Sequence, residues 1–151
     1  MDVERLLVVL VAMFLGGLIG LERELAGKSA GLRTNMLVAG AAAFIVELSD
    51  LLVERFVDEV ASPSLVRVDS IRVIEAVVTG VSFIGAGTII RRSSELEVEG
   101  LTTAATLLFT AAVGMAVALD AGWLALSVTA AVLLTLRLLG IVEGKLPKPP
   151  Q

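Results

Sequence analysis

The chain contains no cysteine and no histidine. Without cysteine there is no disulfide framework, no thiol nucleophile and no thiolate metal site. Without histidine the usual general base and the commonest transition-metal ligand are both missing. Charge is scarce as well: Asp, Glu, Lys and Arg make up 19% of the residues, the net charge is −4, and no basic cluster occurs. That balance excludes nucleic acid as a partner. The serines and carboxylates show no spacing that would set a nucleophile beside a base and an oxyanion hole, so the sequence predicts no enzyme.

What remains is apolar. Hydrophobic residues make up 56% of the chain and the mean hydropathy is +0.92, above the roughly 45–50% apolar usage of soluble domains. The charges are bunched between long uncharged runs, of which residues 100–119 form one of 20 residues. About 20 apolar residues in a helix cross a ~30 Å hydrocarbon core, and lipid leaves a helix as the only sensible backbone for such runs. Five spans follow: Leu6–Leu21, Thr34–Val53, Ile71–Ile90, Leu101–Leu119 and Gly122–Val142. The expected fold class is therefore all-α, a polytopic membrane bundle of five transmembrane helices. Residues 1–142 form the membrane domain and 143–151 a short cytoplasmic tail. The start "MDVER" is acidic and no small-residue cleavage site follows it, so the first run reads as a retained span.

Lys and Arg orient the spans. One side holds eight of them, Arg23, Lys28, Arg33, Arg91, Arg92, Arg137, Lys145 and Lys148; the other holds four, Arg5, Arg55, Arg67 and Arg72. The positive-inside rule makes the first side cytoplasmic, with the N-terminus outside and the C-terminus inside.

The chain also repeats itself. A shift of 69 residues lays "FLGG" (14–17) on "FIGA" (83–86), Arg23 on Arg92, and "GLRT" (31–34) on "GLTT" (100–103). Spans 1–2 and 3–4 thus read as two parallel copies of one helical hairpin, with the fifth span added. Small residues sit at packing intervals: Gly16 and Gly20 in span 1, Gly80 and Gly87 in span 3, Gly114 in span 4. They suit close helix packing within the chain, a homodimer interface, or bare backbone along a path. Gly85 and Gly87 in "FIGAG" allow a local break of the helix.

Two charged regions stand out. The cytoplasmic turn "ERELAGKSAGLRTN" packs Glu22, Arg23, Glu24, Lys28 and Arg33 between two apolar runs. It reads either as a solvated loop or as a clasp in which Arg33 pairs with Glu22 or Glu24. On the outer side Glu47, Asp50, Glu54 and Asp58 fall along one face of a continued second helix, and Glu75 opens span 3. Glu47, Asp50 and Glu75 are candidate ligands for Mg²⁺, the one cofactor these residues could take, since hard cations prefer oxygen. The other reading is an amphipathic helix at the interface with a solvated acidic face. Asp69 reads as an N-cap for span 3.

"GLIGLERE", "AGLRTNMLVAGAAAF", "RVIEAVVTGVSFIGAG" and "VEGLTTAATLLFTAAVGMAVA" resemble the signature stretches of the MgtC/SapB membrane family. The resemblance implies a five-helix membrane domain with its N-terminus outside. It maps the family's recurring polar positions onto Glu22, Arg23, Arg33, Thr34, Arg72, Thr102 and Thr103, with Gly31, Gly85, Gly87 and Gly100 beside them. Asn35 stands where many relatives carry His, Ser82 where Gly is usual, Leu108 where Trp is common, and Glu75 where a neutral residue is typical. The change at Asn35 argues against a His-dependent proton role. Longer members add a soluble C-terminal domain, which this chain is expected to lack. Function is implied as that of an inner-membrane protein of magnesium limitation, linked in pathogens to survival inside host cells. Two roles are implied: a non-enzymatic regulator of a membrane partner such as the F-type ATP synthase, or a transporter or sensor of Mg²⁺ or another cation. The residues favour the regulator. Span 1 is free of polar side chains; away from their ends, span 4 offers only Thr102, Thr103, Thr106 and Thr110, and span 5 only Ser127, Thr129 and Thr135. Such a lining is poor at replacing a cation's water. The expected partners are the lipid bilayer, a second copy of the chain and a membrane protein. Asn35 and Arg91, at the opening of span 2 and the close of span 3, complete the candidate polar cluster.

Overall fold

A computed structural model describes residues 2–59, 70–91 and 98–143. Its helices are α1 (Asp2–Leu25), α2 (Leu32–Glu59), α3 (Ser70–Gly87), α4 (Leu101–Ala118) and α5 (Gly122–Glu143). Each grows from one of the five apolar spans. At 1.5 Å per residue the 24 residues of α1 reach about 36 Å, enough for the hydrocarbon core. Val3–Leu25, Leu32–Arg55 and Leu101–Ala118 are long and apolar enough to cross a membrane, and α5 carries a shorter apolar stretch, Gly122–Leu138. Past Arg55 the charges end the span but not the helix, because they keep to a helical spacing.

The turns explain where the helices stop. At the end of α1, Gly27 adopts φ 67°. The Lys28 amide donates to the Arg23 carbonyl and the Gly27 amide to that of Glu24, each at 3.0 Å. This double closure ends helices on a left-handed residue, and glycine adopts that conformation without strain. The same pattern ends α4: the amides of Asp120 and Ala121 donate to the carbonyls of Val117 and Ala116. There the left-handed residue is Asp120 itself, φ 55°, a role that Asp fills better than most side chains.

One element differs from expectation. α3 ends at Gly87, where the Thr88 hydroxyl and amide both turn back onto the Gly85 carbonyl. The chain then enters a two-stranded antiparallel ladder, β1 (Ile90–Arg91) with β2 (Val98–Glu99). Two residues per strand lie below any periodic signal in sequence. Gly100, φ 94°, returns the backbone to α4, and any side chain there would overlap the Thr88 carbonyl.

α4 sits at the centre and touches all four other helices. It buries Leu107, Ala111, Val113 and Met115 against Ala12, Leu15 and Ile19 of α1, Val38, Ala42 and Val46 of α2, Val77 and Val81 of α3, and Ala125 of α5. Large apolar side chains also cover the outside, among them Phe14, Phe44, Phe83 and Trp123, the surface that a lipid solvent favours. The repeat is visible in the packing. α2 and α4 begin 101 − 32 = 69 residues apart. Gly16 lies against Asn35 and Gly85 against Ala104, again offset by 69 on both sides (85 − 16 and 104 − 35).

Candidate functional site: a glycine-walled polar seam

Three helices meet where α1 crosses the start of α2 and the middle of α4. Bare backbone makes the meeting close. A methyl group on Gly16 would lie 2.6 Å from the Asn35 carbonyl oxygen, and one on Gly20 would lie 2.8 Å from that of Gly31. A side chain on Gly114 would overlap the Ala39 carbonyl of α2. Gly40, which the sequence reading did not single out, takes Met13 in the same way, at 2.5 Å. Of the other glycines named from sequence, Gly31 abuts the Glu24 side chain and Gly85 makes an ordinary contact with Ala104. Gly80 and Gly87 differ from expectation: among the described residues nothing lies within 4 Å of a methyl placed on either, so neither makes a close helix contact there.

Inside these walls Asn35 is 0% exposed. Its amide nitrogen donates to the carbonyls of Ala30 and Gly31, each at 2.9 Å, and its side-chain oxygen accepts from the Thr110 hydroxyl at 2.8 Å. Thr110 is equally buried. A neutral bond therefore ties α2 to α4 across 75 residues of sequence. On α4 the Thr106 hydroxyl donates back to the Thr102 carbonyl, and on α5 Thr129 does so to Ala125, the usual way a helical threonine satisfies itself in an apolar setting. Thr103 is buried beside them and Thr102 is exposed at the start of α4. Among the described residues no buried side-chain polar atom is left without a partner.

The charged turn caps this seam. Arg23 is buried and grips its neighbour Glu22 with two nitrogens, at 2.7 and 3.3 Å. Glu24 accepts from the Leu32 amide at 2.8 Å. It thus supplies α2, from the neighbouring helix, with the acceptor that a helix start lacks; a negative charge there also suits the helix dipole. The expected clasp is corrected in its cation: Arg33 is exposed and pairs with neither Glu22 nor Glu24. Arg23 and the helix terminus already take those two carboxylates. Thr34 is half-buried next to Asn35. Arg91 lies in β1 at this end of the bundle, whereas Arg72 lies in the first turn of α3, at the opposite end. The named polar cluster is thus divided between two ends. Arg92, Asp69, Arg67 and the tail residues Lys145 and Lys148 fall outside the described residues.

At the opposite end of the bundle Arg5 is the organiser, a role no local pattern announced. It donates to the Glu47 carbonyl and to both Glu54 carboxylate oxygens, each at 2.8 Å, and sits 3.6 Å from the Glu47 carboxylate. The hairpin brings α1 against α2 in antiparallel fashion and so joins residues 42 and 49 apart. The proposed metal set is corrected here as well. Among the described residues no three acidic side chains converge as ligands. Arg5 engages Glu47, while Asp50 and Glu75 are exposed on different helices.

The five-helix bundle, with its apolar exterior and buried neutral seam, defines a multi-pass membrane protein. The MgtC family model matches residues 9–145, and the chain belongs to that family. Over 117 residues it is 41% identical to the "Putative magnesium transporter YhiD" of Escherichia coli K12, covering 78% of this chain and 52% of that protein. "Protein MgtC" of Brucella abortus is 45% identical over 104 residues, 69% of this chain and 38% of the relative. "Protein SrpB" of Synechococcus elongatus is 36% identical over 135 residues, 85% of this chain and 70% of the relative. The chain thus spans about half the length of the first of these relatives and less of the second. No solved structure matches it significantly.

Proposed function

We propose that the chain is a multi-pass protein of the inner (plasma) membrane, N-terminus outside, that catalyses no reaction. It acts by binding and tuning a membrane partner, such as the F-type ATP synthase, when magnesium is limiting. The observation that carries this reading is the Asn35–Thr110 pair, whose hydrogen bonds are all made within the chain. A cation crossing a membrane needs polar groups ready to exchange for its water. Buried groups held by one another serve packing and specificity instead. The printed name of the Escherichia coli relative supports a second reading, magnesium transport. That reading needs carboxylates available at the outer end, where Arg5 holds both Glu47 and Glu54.

The test is co-reconstitution. Purified chain and F-type ATP synthase are placed in the same liposomes, and ATP-driven proton pumping is followed as the ratio of chain to enzyme rises. Pumping is expected to change in proportion to chain content. Pumping that stays constant at every ratio contradicts the choice of partner.

A further inference from the structure

A groove of about 270 Å³ lies between α1 and α2 beside the Arg5 clasp. Arg5 and Glu47 line it, and its apolar walls include Leu6, Val9, Phe44 and Leu48. Val9 lies about 6 Å further along α1 than Arg5, and Phe44 about 4.5 Å back along α2 from Glu47. Because the two helices are antiparallel, both displacements lead into the apolar spans Val3–Leu25 and Leu32–Arg55. The groove thus runs from a charged mouth at the end of the bundle to an apolar floor within the span. That is the profile of a lipid headgroup followed by its acyl chain.

The profile alone suits any lipid; the charges at the mouth discriminate. The Arg5 side chain keeps 20% of its surface exposed. Among the described residues its Nη1 and Nη2 serve Glu47 and Glu54, and its Nε–H has no acceptor. A phosphate oxygen suits such a donor. Glu54 is 53% exposed, and its two oxygens keep lone pairs beyond those that accept from Arg5. Asp50 is exposed on the same helix face. These carboxylates can accept from an ammonium group. An anionic headgroup such as phosphatidylglycerol meets Glu47 and Glu54 as well as Arg5 and is repelled. A choline headgroup balances the charge, but its quaternary nitrogen has no N–H to donate. A phosphate joined to a primary ammonium satisfies both signs. We propose that this groove binds phosphatidylethanolamine, with its phosphate on Arg5, its ammonium on Glu54 and Asp50, and an acyl chain over Val9 and Phe44.

The chain has one tryptophan, Trp123, so quenching by brominated lipid can be confined to a chosen site. In a Trp123→Phe background, Phe44→Trp places the reporter in the groove and Phe83→Trp places it on α3, both at exposed positions. Each purified chain is reconstituted in phosphatidylcholine doped with brominated phosphatidylethanolamine or brominated phosphatidylglycerol. At Phe44→Trp, phosphatidylethanolamine is expected to associate about fivefold more strongly than phosphatidylcholine, and phosphatidylglycerol more weakly. At Phe83→Trp no such preference is expected. Glu54→Gln should cancel the preference for phosphatidylethanolamine and raise phosphatidylglycerol, a change of charge selectivity that a loss of packing would not produce. Leu48→Trp, also exposed in the groove, is the reporter should Phe44→Trp melt early. Equal association of the three headgroups at the groove would overturn the proposal. So would phosphatidylglycerol favoured there, a preference of the same size at Phe83→Trp, which marks bulk lipid, or a preference that Glu54→Gln leaves unchanged.

Discussion

Gly114→Leu is expected to be the most damaging single substitution in the membrane core, costing more than about 3 kcal/mol or preventing folding outright. The reason lies in what stands opposite. Any side chain at Gly114 overlaps the backbone carbonyl of Ala39, and a helix backbone cannot turn aside as a flexible side chain can. α4 would have to move off α2, and α4 is the helix on which the other four pack. Gly80→Leu supplies the contrast, with the same chemical change in open space and no expected loss of monomer stability. Unfolding in mixed micelles, followed by circular dichroism, measures both. Equal losses would mean that glycine content, rather than close approach, sets the stability.

The second large effect is expected at Asn35. Asn35→Ala removes three hydrogen bonds at once. It leaves the Thr110 hydroxyl and the Ala30 carbonyl without their Asn35 partner in the buried seam, while the Gly31 carbonyl keeps the Asn35 backbone amide; each buried group left unsatisfied costs about 1–3 kcal/mol. A total loss near 3 kcal/mol is expected, since the helical setting relieves part of it. Thr110→Val is milder, at about 1 kcal/mol, because interhelical hydrogen bonds in membranes are individually weak. In a double-mutant cycle the two substitutions should be non-additive, as for residues in direct contact. Additive losses in the same unfolding assay would mean that the Asn35–Thr110 bond does not form.

The five helices were legible because lipid imposes one backbone solution on any long uncharged run, and the runs are bounded sharply at Glu22, Arg33, Glu99 and Asp120. The hairpin repeat was legible for the same reason, in the matched "GLRT" and "GLTT" that open α2 and α4. The β1–β2 ladder was not, being too short to have a period. Pairings were hardest. Charge and position in the turn make Arg33 a natural partner for Glu22 and Glu24, yet one carboxylate goes to its sequence neighbour Arg23 and the other to a helix end. Neither choice leaves a mark on charge spacing. Asn35 and Thr110 lie 75 residues apart, so no local pattern joins them. One signal was present: under the 69-residue shift Asn35 falls on Ala104 and Thr110 on Ala41. Polar residues appear where the two copies of the hairpin differ, at the contact that joins one copy to the other.

The central claim is that polar groups inside this bundle hold its helices together and do not conduct. Mg²⁺ uptake into sealed liposomes containing only the purified, folded chain tests it most directly, with a trapped Mg²⁺-sensitive dye and an inward gradient. Uptake indistinguishable from that of empty liposomes is the expected result, for the wild type and for Asn35→Ala alike. Saturable uptake by the wild type that falls with Glu47→Gln or Asn35→Ala would contradict the claim and make the seam part of an ion path.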